Sequence, residues 1–254
     1  MRLTYLPLLG FLGLAGAALV QPSTAHADRR TFTRTYEYTT MPQGQTELEI
    51  YSTQSAQRFT EAAPRSFEMQ LEIEHGITDR FDLGLYHVFK QVSAEDATVA
   101  QPFHFSDIKL RGRYRFAERG ELPVDLLAYL EMAKEFGEGV YEAEGKLIVA
   151  RDVGQVLLAA NLITEVEFGP DVAETELELG WAVGAAIEVM PALRLGVESY
   201  GGFEAEEPEE LAASVGPSVS WASSGKLWVA GTAAFGVTDE ADRFSGRLIL
   251  GIDL

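Results

Sequence analysis

The chain has no cysteine, only four histidines, and about half as many basic as acidic residues, 20 Lys and Arg against 39 Asp and Glu. The first absence excludes disulfide staples, thiolate metal sites and thioether-linked lipid anchors. His26, His75, His87 and His104 are scattered without zinc-type spacing, and no Gly-rich phosphate loop occurs, so neither metal nor other cofactor is expected. The deficit of positive charge, a formal net of −19, argues against nucleic acid as a partner, because phosphate backbones are held by basic surface. A spanning helix is missing too. The longest apolar run, from Leu6 to Val20, holds about fifteen residues interrupted by Pro7 and glycines, short of the roughly 20 required.

That run lies between Arg2 and the small-residue triplet Ala25-His26-Ala27, which together make the three parts of a secretory signal. Residues 1–27 are therefore expected to be a signal peptide cleaved after Ala27, leaving Asp28 as the first mature residue. Cleavage removes one Arg and no acid, moving the net charge from −19 to −20. Disorder is excluded despite that charge, since 46% of the chain is hydrophobic and the acids are spread through it. What matters is where the acids point.

From Gln45 onward apolar and polar side chains alternate in segments of about 10 residues, and strand side chains change faces at every residue. In RSFEMQLEIEHGI, Phe67, Met69, Leu71 and Ile73 share one face, and Glu68, Gln70, Glu72 and Glu74 the other. FSDIKLRGRYRF opposes Ile108, Leu110, Tyr114 and Phe116 to Lys109, Arg111, Arg113 and Arg115. TELELGWAVGAAIEV sets Leu177, Leu179, Trp181, Val183 and Ile187 against Glu176, Glu178 and Glu188, with Gly180, Ala182, Gly184 and Ala186 filling the polar side. Alternation alone also suits a soluble sandwich. Length separates the two readings, because most segments exceed the roughly 5 to 6 residues of globular strands and match the roughly 9 to 11 of tilted membrane strands.

Twelve strands are expected, at 46–53, 66–77, 81–91, 103–116, 124–136, 140–151, 155–168, 175–189, 193–200, 212–221, 227–237 and 244–254. Nearly all the long connections fall on one side. Bacterial membrane barrels likewise have an even strand number, short inner turns and longer outer loops. The expected fold is all-β: a single closed antiparallel up-and-down transmembrane β-barrel over 45–254. Residues 28–44 precede it as an N-terminal extension or an extra strand, since TFTRTYEYT, at 31–39, alternates as well.

A closed barrel is the one β-structure that crosses hydrocarbon, where each unpaired backbone group costs several kcal/mol. Closure also gives the acids a place. Glu47, Glu49, Glu72, Glu74, Glu142, Glu144, Glu165 and Glu167 would face an enclosed interior, whereas Lys or Arg facing lipid at mid-depth would cost about 2 to 4 kcal/mol. Phe81, Phe89, Phe116, Phe168, Trp221 and Phe244 stand at or near strand ends, where interfacial aromatic girdles belong.

The last segment, FSGRLILGIDL, puts Phe244, Gly246, Leu248, Leu250, Ile252 and Leu254 on one face. It resembles the C-terminal assembly signal of bacterial outer-membrane proteins, with Leu254 where that group usually has Phe or Trp. LEIEHGITDRFDLGLYHVF, at 71–89, and FSDIKLRGRYRF resemble motifs of the transporter-like outer-membrane barrels that include the meta-pathway phenol-degradation proteins. The resemblance implies an outer-membrane location and a role in transport. It also implies contact with outer-membrane lipid and with the assembly machinery through the last strand.

His104 and Ser106, with Glu118 twelve residues on, resemble the His-x-Ser arrangement of outer-membrane phospholipase A and the lipid A deacylases. An uninterrupted strand to Phe116 would leave Glu118 roughly 40 Å from Ser106 at about 3.3 Å per residue, so no catalytic residue is assigned. Lys109, Arg111, Arg113 and Arg115 form a basic ladder, read either as a selective constriction or as the counter-charge of Glu72, Glu74, Glu131 and Glu135. Further pore-lining candidates are Glu142, Glu144, Glu165, Glu167 and Glu178, with Arg194, Glu198, Arg247, Asp253 and Lys146 in smaller pairs. The acids of EAEEPEE, 204–210, read as a solvated loop tip. The expected function is a passive channel for small solutes with an acidic, partly charge-paired lumen that prefers cations or neutral molecules. The alternative is a non-conducting barrel serving as a surface lipid hydrolase or as a structural or assembly component.

Overall fold

The computed structural model describes residues 29–59, 65–93, 102–222 and 226–254. The expected signal peptide, 1–27, and its cleavage site lie outside them. The strands are β1 (Thr46–Ala56), β2 (Arg65–Thr78), β3 (Phe81–Ser93), β4 (His104–Arg115), β5 (Asp125–Glu135), β6 (Tyr141–Val153), β7 (Val156–Phe168), β8 (Glu176–Met190), β9 (Leu193–Glu204), β10 (Ala212–Ala222), β11 (Leu227–Gly236) and β12 (Phe244–Asp253). Each pairs antiparallel with its neighbours in sequence, and β12 pairs with β1, so the sheet closes into a twelve-strand up-and-down barrel.

Short connections, 79–80, 154–155 and 191–192, gather at the end where β1 begins and β12 finishes, here the turn end. The longer connection 116–124 also lies there, while connections 136–140, 169–175, 205–211 and 237–243 lie at the opposite, loop end, where β1 and β3 finish and β2 and β4 begin. Ten of the twelve strands begin and end within two residues of the expected bounds. The larger differences are β1, which runs on to Ala56, and β9, which runs on to Glu204. Gly201 and Gly202 look like a loop in sequence, but they pair with Ala213 and Ala212 inside the sheet. A Cβ on Gly201 would fall 2.6 Å from the Trp181 ring, so the glycine is there for a close approach and not for a turn.

Burial follows the alternation, with the usual sense of inside and outside reversed. Ile73, Leu130 and Leu162 are 49%, 61% and 65% exposed, while Glu72, Arg111 and Glu198 are 1%, 1% and 0% exposed. Charged side chains are almost never fully buried in water-soluble proteins unless paired, and a belt of exposed large apolar side chains running from β2 to β11 calls for an apolar solvent. A sandwich would hide Leu71, Leu179 and Leu250 between two layers; a single closed sheet has no second layer. Aromatics band the loop end of the exterior: Phe89 stacks on Phe103 at 5.6 Å and meets Phe105 at 5.4 Å, and Phe105 meets Phe136 at 4.7 Å.

Leu162 lies mid-strand on the exterior. Leu162→Arg is expected to lower unfolding free energy in phospholipid vesicles by about 2 to 4 kcal/mol, measured by urea titration of tryptophan fluorescence. Leu162→Phe should leave it within about 1.5 kcal/mol of the parent.

Candidate functional site

The interior has two halves. At the turn end it is a packed network of ions. Arg111 Nη2 lies 2.5 Å from Glu72 and 2.8 Å from Glu74, and its Nη1 lies 3.4 Å from Asp82. Arg113 pairs with Glu74 and stands 2.8 Å from Asp82. The Tyr51 hydroxyl sits between Glu49 and Glu72, 2.7 Å from the latter. Glu49, Glu72 and Glu74 bring carboxylate oxygens within 4.8 Å of one another, a crowding tolerable out of water because guanidinium groups fill the space between.

The second occupant of this half is the N-terminal segment, which adds no strand to the sheet. It enters beside the turn after β8, where Arg29 donates to the Pro191 carbonyl. From there it rises to mid-barrel and returns to the turn end. The return is held at three points: Thr40 donates to the Asp79 carbonyl, the Met41 amide to Asp82, and the Gln43 amide to Asp79. At the top of the excursion Glu198 of β9 takes the amides of Thr33, Arg34 and Thr35 at 3.0, 2.9 and 3.0 Å. The Thr33 and Thr35 hydroxyls, and that of Thr232 on β11, donate to the same carboxylate. Three successive backbone N–H groups around one anion form a nest, which replaces the water a buried carboxylate loses. Asn161 of β7 accepts from the Tyr36 amide at 2.7 Å and donates to its carbonyl at 2.9 Å, so one side chain satisfies both backbone groups.

Between these polar anchors the segment buries Phe32, Tyr36 and Tyr38 against Leu127, Tyr129, Ile148, Ala150, Leu157, Ala159 and Ala186 on β5 to β8. Full burial of Phe32 alone is worth about 1.5 to 3 kcal/mol. Its ring covers Gly184, where a Cβ would lie 2.7 Å from Phe32 Cζ. The small residues on the polar face of β8 are thus the seat of an aromatic ring.

Above the segment the loop half opens into a cavity of about 400 Å³ floored by Thr33, Arg34 and Tyr36. Glu68, Gln70 and Arg247 line one side, and Glu142, Glu144, Glu165 and Glu178 another. Lys109 bridges Glu131 at 3.1 Å and Glu142 at 3.6 Å, Lys146 pairs with Glu144 at 2.9 Å, and Arg247 with Glu68 at 3.6 Å. Glu167 lines a smaller recess with Lys90, Asp107 and Glu135.

The candidate residues therefore divide. Glu72, Glu74, Arg111 and Arg113 meet in the turn-half network, and Lys109, Glu131, Glu142, Glu144, Glu165, Glu178 and Arg247 meet at the cavity. Arg115 lies at the turn-end rim, donating to Thr40 and to the Asp79 carbonyl. Arg194 pairs there with Glu188 at 3.3 Å and donates to Thr31. Glu135 makes no ion pair among the described residues, and the nearby Lys90 pairs with Asp107 at 3.0 Å. Glu198, expected in an ion pair, instead holds the N-terminal segment by hydrogen bonds. Sequence reasoning passed over Asp82, Asn161 and Thr232. Asn161 left a signal, a lone amide inside the apolar stretch VLLAANLI.

His104, Ser106 and Glu118 do not come together. A register shift pairs Val88 with Asp107 and Phe89 with Phe105, so Ser106 is the extra residue of a bulge and leaves the shared face with Ile108 expected from strict alternation. Glu118 pairs with Arg80 at 2.8 Å at the turn end, whereas His104 begins β4 at the loop end. Of the loop acids, Glu204 closes β9, and the crowding of Glu207 holds the exposed Glu210 carboxyl above its usual range.

No family model and no curated protein matches the chain. Among solved structures it is similar to an outer membrane channel from Pseudomonas putida F1, with 13% identity and a TM-score of 0.66 over 86% of this chain and 98% of that one. It is also similar to the NanC porin, at 8% identity and a TM-score of 0.54 over 82% of this chain and 100% of that one. The KdgM porin in complex with disordered oligogalacturonate gives 10% and 0.54 over 82% and 97%. The fold is that of a bacterial outer-membrane β-barrel. The meta-pathway phenol-degradation group is not singled out, and its likeness rests on the two motifs at 71–89 and 105–116.

Two outcomes follow for the interior. Glu198→Ala is expected to speed hydrogen exchange at the Thr33, Arg34 and Thr35 amides by at least about 10-fold, equivalent to about 1.4 kcal/mol, with the barrel amides unchanged. Arg111→Met leaves three buried carboxylates facing one another and is expected to cost about 3 to 5 kcal/mol in urea unfolding.

Proposed function

We propose that the protein is an outer-membrane channel for small solutes whose passage is closed at the turn end by residues 29–44. In this reading the signal peptide is removed after Ala27 and β12 presents the sequence recognised by the assembly machinery. The exterior leucines contact lipid, the turn end faces the periplasm, and the loop end faces outward, as short and long connections are arranged in such barrels. The observation that carries the reading is the unequal filling of the lumen. The loop half holds a charged cavity, while the turn half is occupied by a segment docked through Glu198, Asn161 and the Phe32 seat. The similar channel and porins support a transport role for a barrel of this shape.

A segment continuous with β1 at one end only, and held by side-chain anchors instead of a sheet ladder, is a removable obstruction. Opening requires loss of the Glu198 nest and the Phe32 seat, not disruption of the barrel. Once open, the path runs past Glu72, Glu74, Glu131, Glu142, Glu144, Glu165 and Glu178, whose excess over nearby Lys and Arg favours cations and neutral molecules. Twelve strands enclose less than the roughly 16 to 18 of water-filled porins, which limits the permeant to small solutes.

Planar-bilayer recording tests this. The mature chain is expected to give rare, brief openings. Deletion of residues 29–44, or Gly184→Val, which pushes out the Phe32 ring without altering charge, should give steady cation-selective conductance at least about 10-fold higher in mean current. Silence from both variants, when each keeps the fast migration of a folded barrel on unboiled gels, would sink the channel reading.

A further inference from the structure

The charges around the loop-half cavity are sorted in space. In a twelve-strand ring β6 to β8 lie across from β12 to β2. On the β12 side stand Arg247 and the plug residue Arg34, which reaches β12 by donating to Ser245 at 3.2 Å. The carboxylate paired with Arg247 on that side is Glu68, at 3.6 Å. On the far side Glu165 sits directly opposite both Glu144 and Glu178 in the strand register. Glu144 is neutralised by Lys146, but Glu165 and Glu178 make no ion pair among the described residues. Like charges facing each other across a ladder are destabilising, and a cation placed between them removes the cost.

The guanidinium side of the cavity, from β12 round to β3, holds unmet bonding capacity besides charge. Arg34 Nε is buried without a hydrogen-bond partner, and so is the hydroxyl of Tyr86, a residue only 2% exposed. Both residues line the cavity. A lone cation would satisfy the glutamates and leave the guanidinium pole as it is. A lone anion would have to enter past the glutamates. A molecule with an ammonium at one end and a carboxylate at the other meets both walls at once, and a cavity of about 400 Å³ admits one of amino-acid size or somewhat longer.

We propose that this cavity is a binding site for small zwitterions, the ammonium held by Glu165 and Glu178 and the carboxylate by Arg34 and Arg247. The assignment deepens the channel reading by naming its solute class and rests on that reading for its purpose. Its test does not depend on conduction. The mature chain, folded in detergent micelles at low ionic strength, is titrated calorimetrically with 6-aminohexanoate, hexylammonium and hexanoate, three probes of one length. The zwitterion is expected to bind at least about 10-fold more tightly than either singly charged probe. Glu165→Gln with Glu178→Gln should reduce 6-aminohexanoate to the level of hexanoate, and Arg247→Gln should reduce it toward hexylammonium. Migration on unboiled gels confirms that each variant is folded. Equal binding of hexylammonium and 6-aminohexanoate, unaffected by Arg247→Gln or Arg34→Gln, would replace the zwitterion site by a simple cation site. Absence of heat with all three probes would end the proposal. Tight zwitterion binding by a chain that stays silent in bilayers after removal of 29–44 would count against the channel alone.

Discussion

Where β1 pairs with β12, Glu47 comes opposite Asp253 and Ala56 opposite Phe244, and the first and last strands leave no open edge. That closure governs the chemistry of every other residue. A sheet with free edges could not give up water on its outer face, because its unpaired N–H and C=O groups would follow it into hydrocarbon. With the ladder complete, one set of side chains meets an apolar exterior and the other is confined to a narrow shared interior. Confinement forces the interior charges to solve their own electrostatics, since bulk water cannot do it for them.

The two halves of the lumen solve it differently. At the turn end Arg111 and Arg113 are surrounded by Glu72, Glu74 and Asp82, and a folded-in backbone supplies amide donors to Glu198. Charge is matched there by groups the chain carries itself. At the loop end the match is incomplete, with Glu165 and Glu178 facing each other and Arg34 only partly engaged. A complete interior is structural, and an incomplete one is available to something that comes from outside.

Strand number, order and bounds were legible because a period of two sustained over ten or more residues suits a two-faced strand and little else, and β2, β4 and β8 showed it almost without fault. The pairing of the basic ladder with Glu72 and Glu74 was legible as charge balance. The plug was not. TFTRTYEYT has strand-like alternation, yet in the lumen the threonines satisfy polar side chains while Phe32, Tyr36 and Tyr38 fill an apolar wall, so the same pattern serves a segment with no ladder. The wall left its own mark, since Leu127, Ile148 and Leu157 are apolar residues on faces otherwise read as polar, and Gly184 and Ala186 are small residues on the polar face of β8. Bulges defeat such reading altogether. One extra residue at Ser106 sets Phe105 beside Phe89, on the face opposite to the one strict alternation from Ile108 to Arg115 would give it, and composition gives no warning of it.

The anchors of the N-terminal segment are distributed over β3, β7, β9 and β10, through Asp82, Asn161, Glu198 and Ser220. Its hydrogen-bonding partners therefore span sequence separations up to 211 residues, and none of the seats exists until the ring has formed around them. Because contacts between distant parts of a chain form slowly, the segment has to be the last piece to settle. In the channel reading proposed above, the newly made ring lacks its obstruction until then, so the molecule passes through its most open form on the way to its closed one.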